Sequence, residues 1–138
     1  MANEAKASVN LVIDKGNMNY RSTPTDFQVS VTTAKGPSPG AITATVAGVD
    51  VDLSELASPG LCRIRNLDAT NFVMVGLWDG TEFYPLFDLG PGEHYLIKLS
   101  LYLGYSFGVG TGTTDAGHTL RIKADTASCV VVVEAFDR

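Results

Sequence analysis

Residues 72–87 read FVMVGLWDGTEFYPLF, two apolar runs on either side of Asp79-Gly80. A two-residue primed turn needs positive φ angles, which Asp followed by Gly tolerates. We therefore expect residues 82–87 to pair back against residues 72–78 as an antiparallel hairpin. Both faces of residues 72–78 are apolar, which is typical of a strand in the middle of a sheet.

Alternation of apolar and polar side chains, the period of a half-buried strand, extends over most of the chain. The alternating segments are 8–14, 27–32, 42–47, 49–53, 61–66, 95–99, 120–124 and 129–136. Turn-rich residues separate these segments at 16–26 (GNMNYRSTPTD), 36–40 (GPSPG) and 90–92 (GPG). Neither a helix nor a central strand accommodates residues 36–40, so they predict a break. This spacing predicts about eight to ten short strands and no long helix.

The predicted fold is all-β: a single-domain antiparallel β-sandwich over residues 1–138, jelly-roll-like in type. The net charge of −5, with only 10 Lys and Arg residues, argues against nucleic acid as a partner, because nucleic-acid-binding domains concentrate basic residues on one face. The first residues, MANEAKASVN, lack the basic start and apolar run of a secretory signal. Without a run of about 18 apolar residues, we expect no membrane partner.

The reactive side chains form no pattern associated with catalysis or metal binding. Cys62 and Cys129 lie in apolar segments, so we expect two buried free thiols. A disulfide between them would need Cα atoms about 4.4–6.8 Å apart, which the sequence leaves open. His94 and His118 are expected on the surface. We predict no catalytic, cofactor-binding or metal-binding residue, and we interpret the chain as a non-enzyme.

Two pairs of charged residues each share a strand face, Asp50 with Asp52 and Arg63 with Arg65. Solvated charge is the expected role for both pairs, with a calcium or anion site as the alternative. The arginines are also suited to a contact between subunits. Residues 108–112, GVGTG, lack the strand before and the helix after that a phosphate-binding loop needs, so they predict a flexible loop.

The segment at about 102–119, YLGYSFGVGTGTTDAGHT, is too long for a plain connection and carries Tyr102, Tyr105 and Phe107. An interface is the favoured interpretation, and the alternatives are packing over its own sandwich or a ligand-binding tip. The candidate interface residues are thus Tyr102, Tyr105, Phe107, Arg63 and Arg65.

Four sequence motifs resemble a group of small virion proteins of tailed bacteriophages. They are the turn at 66–71 (NLDATN), the strand start at 83–85 (FYP), the turn at 91–93 (PGE) and the turn at 123–127 (KADTA). The resemblance covers about half of the chain, and its motifs are turn residues rather than catalytic signatures.

That resemblance implies a non-enzymatic structural protein, made in the host cytoplasm and located in the virion. Its expected role is a capsid decoration or cement protein that stabilises the head by binding the major capsid protein or other virion proteins, as a homo-oligomer with a trimer favoured. The alternatives are a tail, head-fibre or receptor-binding component, including a carbohydrate-binding tip in which Trp78, Tyr102 or Tyr105 stacks on sugar rings.

Overall fold

The computed structural model describes residues 5–23, 26–29, 31, 35–99 and 119–138. The chain divides into two compact units, residues 1–32 and residues 33–138. Strands of the first unit are β1 (Ala5–Ala7), β2 (Leu11–Lys15), β3 (Met18–Ser22) and β4 (Phe27–Val29). Strands of the second unit are β5 (Ser38–Ala44), β6 (Val49–Asp50), β7 (Pro59–Asn66), β8 (Val73–Trp78), β9 (Phe83–Leu89), β10 (His94–Lys98), β11 (Thr119–Ala124) and β12 (Cys129–Asp137).

The second unit is a β-sandwich of two four-stranded antiparallel sheets, which confirms the predicted fold class. Sheet I has the strand order β10-β7-β12-β5, and sheet II has the order β6-β11-β8-β9. Among the strands that the structure describes in this unit, only β8 and β9 are consecutive and paired within one sheet, and every other consecutive pair is divided between the two sheets. This order is compatible with a jelly roll, and that narrower description stays a prediction, as does a single domain over 1–138.

The core lies between the two sheets and draws apolar side chains from both. On β12, Val131, Val133 and Ala135 are fully buried, whereas Val130, just before them, is half-exposed. Strand alternation thus divides the valine run between core and surface, and β12 lies between β5 and β7. Each buried valine contributes about 1.5–3 kcal/mol relative to an exposed one. None of the described residues belongs to a helix long and apolar enough to cross a membrane.

The β8–β9 hairpin forms as predicted, but its turn differs from the expected one. Trp78 pairs with Phe83, so the connection has four residues, 79–82, instead of a two-residue primed turn. The Asp79 carboxylate accepts hydrogen bonds from the backbone N–H groups of Thr81 and Glu82, both at 2.7 Å. Gly80 alone in this turn has a positive φ, of 98°. The carboxylate therefore satisfies the backbone donors of a longer loop.

The predicted break at residues 36–40 is shorter than expected, because β5 already begins at Ser38 and includes Pro39 and Gly40. β5 is an edge strand of sheet I. An edge strand can hold a proline since the missing N–H would otherwise face away from the sheet.

In the first unit, β1 pairs with β4, and β2 and β3 form a hairpin between them. The prediction of residues 16–26 as turn-rich was wrong for β3, which occupies Met18–Ser22. Gly16 and Asn17 form the two-residue loop, in which Gly16 has a φ of 57°. A Gly-Asn pair is itself a hairpin signal, and it was the available clue to β3.

Asn66, at the end of β7, is fully buried and is the centre of a hydrogen-bond network. Its Nδ2 donates to the carbonyl oxygens of Asn71 at 2.9 Å and of Leu89 and Gly90 at 3.1 Å. Its Oδ1 accepts a hydrogen bond from the N–H of Asp68 at 2.9 Å. An amide has two N–H groups, so one of them is shared between two carbonyls. One side chain thus links the end of β7 to the start of β8 and to the end of β9.

We expect Asn66→Leu to lower the free energy of unfolding by about 3 kcal/mol, because the substitution leaves buried carbonyls without a donor. Urea unfolding followed by the fluorescence of Trp78 measures the change. The adjacent and half-exposed Leu67 supplies the control: Leu67→Ala should stay within about 1 kcal/mol of the wild type. Equal losses from both substitutions would contradict a central role for the amide.

Candidate functional site

The outward surface of sheet I combines basic and apolar side chains. Arg63 and Arg65 are both exposed and lie two residues apart on β7, so they occupy the same face. Directly paired residues on neighbouring strands project to the same side of a sheet. We call this surface the sheet I face. The strand pairing adds to it His94, Leu96 and Lys98 of β10, Ala41 and Thr43 of β5, and Val130, Val132 and Glu134 of β12.

The two arginines have different electrostatic surroundings. Arg63 forms an ion pair with Glu134, its direct cross-strand neighbour on β12. The hydrogen bond from Arg63 lowers the pKa of the Glu134 carboxyl, and the nearby charge of Arg65 acts in the same direction. Among the described residues, no carboxylate lies within ion-pair distance of Arg65. Arg65 thus lies beside an apolar row without an ion-pair partner among the described residues.

That apolar row runs along β12 next to the arginines. Val130 is 47% exposed and pairs with Thr43, while the partly exposed Val132 pairs with Ala41 on one side and Arg65 on the other. Exposed aliphatic groups next to arginine are typical of the surfaces through which proteins bind one another. Arg63 and Arg65 are neighbours on one strand and could be grouped from the sequence. The valines and Glu134 become their neighbours only because β12 pairs with β7.

Sheet II presents a second cluster, formed by Trp78, Arg121 and Asp50. The Arg121 guanidinium lies 3.9 Å from the centroid of the Trp78 ring, within the range of a cation–π contact. Asp50 accepts a hydrogen bond from Arg121 Nε at 2.6 Å and another from the Thr119 hydroxyl at 3.3 Å. Arg121 therefore covers one face of the indole ring. A sugar ring could not stack on that face, because the guanidinium already occupies it.

Asp50 and Asp52 have separate structural roles. Asp50 pairs with Arg121, whereas Asp52 accepts a hydrogen bond from the backbone N–H of Ser54 at 2.9 Å. Hydrogen bonds from the Ser54 side chain and from its backbone N–H lower the pKa of Asp52. Over the described ranges, no group of three or more His, Cys, Asp or Glu side chains is placed to hold a metal ion.

The two cysteines are free and buried, as predicted. Cys62 lies opposite Ala135 on β12, while Cys129 lies six residues earlier on that same strand. At about 3.3 Å per residue the two thiols are about 20 Å apart. A disulfide within one chain is therefore excluded. Burial, with a smaller effect of the Glu134 charge, raises the pKa of Cys62 to about 12.

The other predicted site residues divide by location. His94 is exposed on β10, as expected. Tyr102, Tyr105, Phe107, His118 and residues 108–112 lie outside the described residues. Their roles, including an interface at 102–119, stay predictions.

A cavity of about 270 Å³ lies between the start of β5 and the turn after β6. Its lining includes Lys35, Pro37, Glu55 and Leu56, and Lys35 Nζ donates a hydrogen bond to the Glu55 carbonyl at 3.3 Å. Its volume falls below the roughly 300–1,000 Å³ of small-molecule sites. The sheet I face is the stronger candidate for function.

No protein-family model, curated protein or solved structure matches the chain. The resemblance to phage virion proteins therefore rests on the four sequence motifs. Residues 66–71 connect β7 to β8, residues 83–85 begin β9, residues 91–93 turn between β9 and β10, and residues 123–127 span the turn from β11 to β12. All four motifs thus lie at connections or strand ends of the sandwich.

In the native protein, neither Cys62 nor Cys129 should react with Ellman's reagent at pH 8, because burial both shields the sulfur and suppresses the thiolate. Both should react in urea. A Ser128→Cys variant is the matched control, since residue 128 is exposed and adjacent to Cys129; it should gain one rapidly reacting thiol. A rapid native reaction in the wild type would contradict the buried placement.

The Arg63–Glu134 pair predicts a pH dependence of stability. Because the pKa of Glu134 is lower in the folded chain, its contribution is present at neutral pH and is lost as the pH falls below its ordinary value of 4.5 through the folded value. Glu134→Gln should therefore lower the free energy of unfolding by less than about 1 kcal/mol at pH 7, since the pair is partly exposed. The difference from wild type should shrink in unfolding measurements as the pH is lowered progressively below 4.5. A difference that persists there would contradict this origin.

Proposed function

We propose that the chain is a non-enzymatic structural protein of a tailed-bacteriophage virion, a capsid decoration or cement protein that binds the major capsid protein. The observation that carries the proposal is the sheet I face, with exposed Val130 near Arg65, which has no ion-pair partner among the described residues. Such a protein acts through binding energy alone: burial of its surface across capsid subunits stabilises the assembled shell by mass action.

The area of the sheet I face supports binding to the capsid through several copies of the chain at once. Four strands about 4.8 Å apart and about 25 Å long give a surface of roughly 500 Å². A stable interface buries about 800 Å² on each partner, so the face supplies somewhat more than half of that area. We therefore propose a homo-oligomer in which several such faces bind the shell together and gain affinity through avidity; the resemblance to phage virion proteins favours a trimer.

The roles of the described carboxylates support a non-catalytic chain. Asp68 accepts hydrogen bonds from the N–H groups of Thr70 and Asn71, at 2.8 and 2.7 Å, and these bonds lower its pKa. Glu93 accepts one from Gly90 N–H at 2.7 Å. Carboxylates committed to turns in this way stabilise loops instead of moving protons.

Subunit counting in the particle tests the proposal. The phage that encodes the chain would be purified and dissociated, and the chain quantified against the major capsid protein. A decoration protein is expected in a fixed ratio to the capsid subunits. A copy number of only a few per virion would indicate a tail or fibre component, and absence from the particle would reject a structural role.

Charge reversal at Arg65 tests the attachment surface. Heads stripped of the chain would be incubated with purified wild-type or variant protein and sedimented. Arg65→Glu should weaken rebinding about tenfold or more, because it puts a like charge against a surface complementary to arginine. Lys123→Glu makes the same charge change on sheet II, where residue 123 pairs with Met74, and should rebind like wild type. Equal losses in both variants would point to net charge, and unchanged binding by Arg65→Glu would reject this face.

A further inference from the structure

The β2–β3 hairpin of the first unit has one face whose apolar side chains are largely exposed. Its register pairs Leu11 with Ser22, Ile13 with Tyr20 and Lys15 with Met18, so these side chains share one side. Leu11, Met18 and Tyr20 are each at least 50% exposed. An isolated two-stranded hairpin is only marginally stable in water, and a wider sheet makes such an apolar face more stable.

The outer edge of β3 is also regular and unprotected. Among the described residues β3 pairs only with β2, over five residues without a register shift, and its sequence MNYRS holds neither proline nor glycine. Three of the four described sandwich edges differ: β5 contains Pro39, β9 contains Pro85 and pairs irregularly, and β6 has two residues, whereas β10 is five residues long and regular like β3. Proteins use such features to prevent strand addition. Their absence from β3 marks this edge as one that can accept another strand.

The sequence of β3 is complementary to itself. Lys15 and Met18 flank the two-residue loop and form a hydrogen-bonded pair in such a hairpin, so the backbone groups of Asn19 and Arg21 point away from β2. An antiparallel copy centred on Tyr20 would put Asn19 opposite Arg21 of the other chain, twice. No like charges would face each other, and the two Tyr20 rings would form an aromatic cross-strand pair.

We propose that β3 pairs antiparallel with β3 of a second copy of this chain, about a two-fold axis at Tyr20. The four-stranded sheet β2-β3-β3-β2 would join the two apolar faces into one and satisfy the outward backbone groups of Asn19 and Arg21. A five-residue contact is well below the area of a stable interface, about 1,200 Å² in total, so the pairing is concentration-dependent in free solution. It does not depend on the proposed capsid role, since it needs only the purified chain.

Disulfide trapping tests the register. At the two-fold axis the Tyr20 positions form a non-hydrogen-bonded pair with Cα atoms about 4.5 Å apart, within the range that a disulfide spans. Tyr20→Cys should therefore give a covalent dimer on mild oxidation, read on a non-reducing gel, while buried Cys62 and Cys129 stay unreacted. Ile13→Cys is the matched control, because Ile13 lies directly opposite Tyr20 on β2 and its copies would be about 14 Å apart. Equal cross-linking of both variants, or none of Tyr20→Cys, would overturn the proposal.

Proline substitution tests the same edge without new thiols. Asn19→Pro removes an N–H that would bond the second copy, whereas Asp14→Pro removes the equivalent outward N–H on β2, directly opposite in the hairpin. In sedimentation velocity over a concentration series, Asn19→Pro should lower the association constant about tenfold or more. Asp14→Pro should associate like wild type. Equal loss in both variants, or a wild type that shows no association through this edge, would reject pairing through β3.

Discussion

The amide of Asn66 joins the two sheets at one end of the sandwich. It lies where β7 of sheet I leads to β8 of sheet II, and it bonds the carbonyls of Leu89 and Gly90, where β9 returns to sheet I. The carbonyl oxygen of Asn71 accepts a hydrogen bond from the same amide. The side-chain Oδ1 of Asn71 accepts another from the Thr126 hydroxyl, at 2.9 Å. Two connections between the sheets are thus bonded to one buried amide, and a third, the turn from β11 to β12, is bonded to them through the side chain of Asn71.

This network explains why the polar residues of the turns contribute to structure more than to chemistry. Asp68, Asp79 and Glu93 each accept backbone N–H groups at their own connection. The apolar core, in contrast, comes from strand alternation and leaves every second side chain on an outer face. The outer faces therefore carry what is free to meet another molecule, and on sheet I that is a basic and aliphatic surface.

Most described edge strands of the sandwich carry a feature that hinders strand addition. Three of the four hold a proline or are very short, while β10, like β3 in the first unit, is regular over its length. A proline or a short length at an edge resists uncontrolled strand pairing. Attachment through a sheet face and pairing through a strand edge are then separate kinds of contact, and each can be altered by substitution without the other.

The sequence by itself determined the β-sandwich, the pairing of β8 with β9 and the burial of both cysteines, because alternation and turn chemistry act between near neighbours. It did not reveal β3, whose residues MNYRS alternate weakly, and it misjudged the turn after Trp78, where the Asp79 side chain supports a longer loop. Only the tertiary structure decided that Glu134 meets Arg63 and that Asp50 meets Arg121, each pair being 71 residues apart. Those contacts depend on the order and register of strands distant in sequence, which local patterns do not encode.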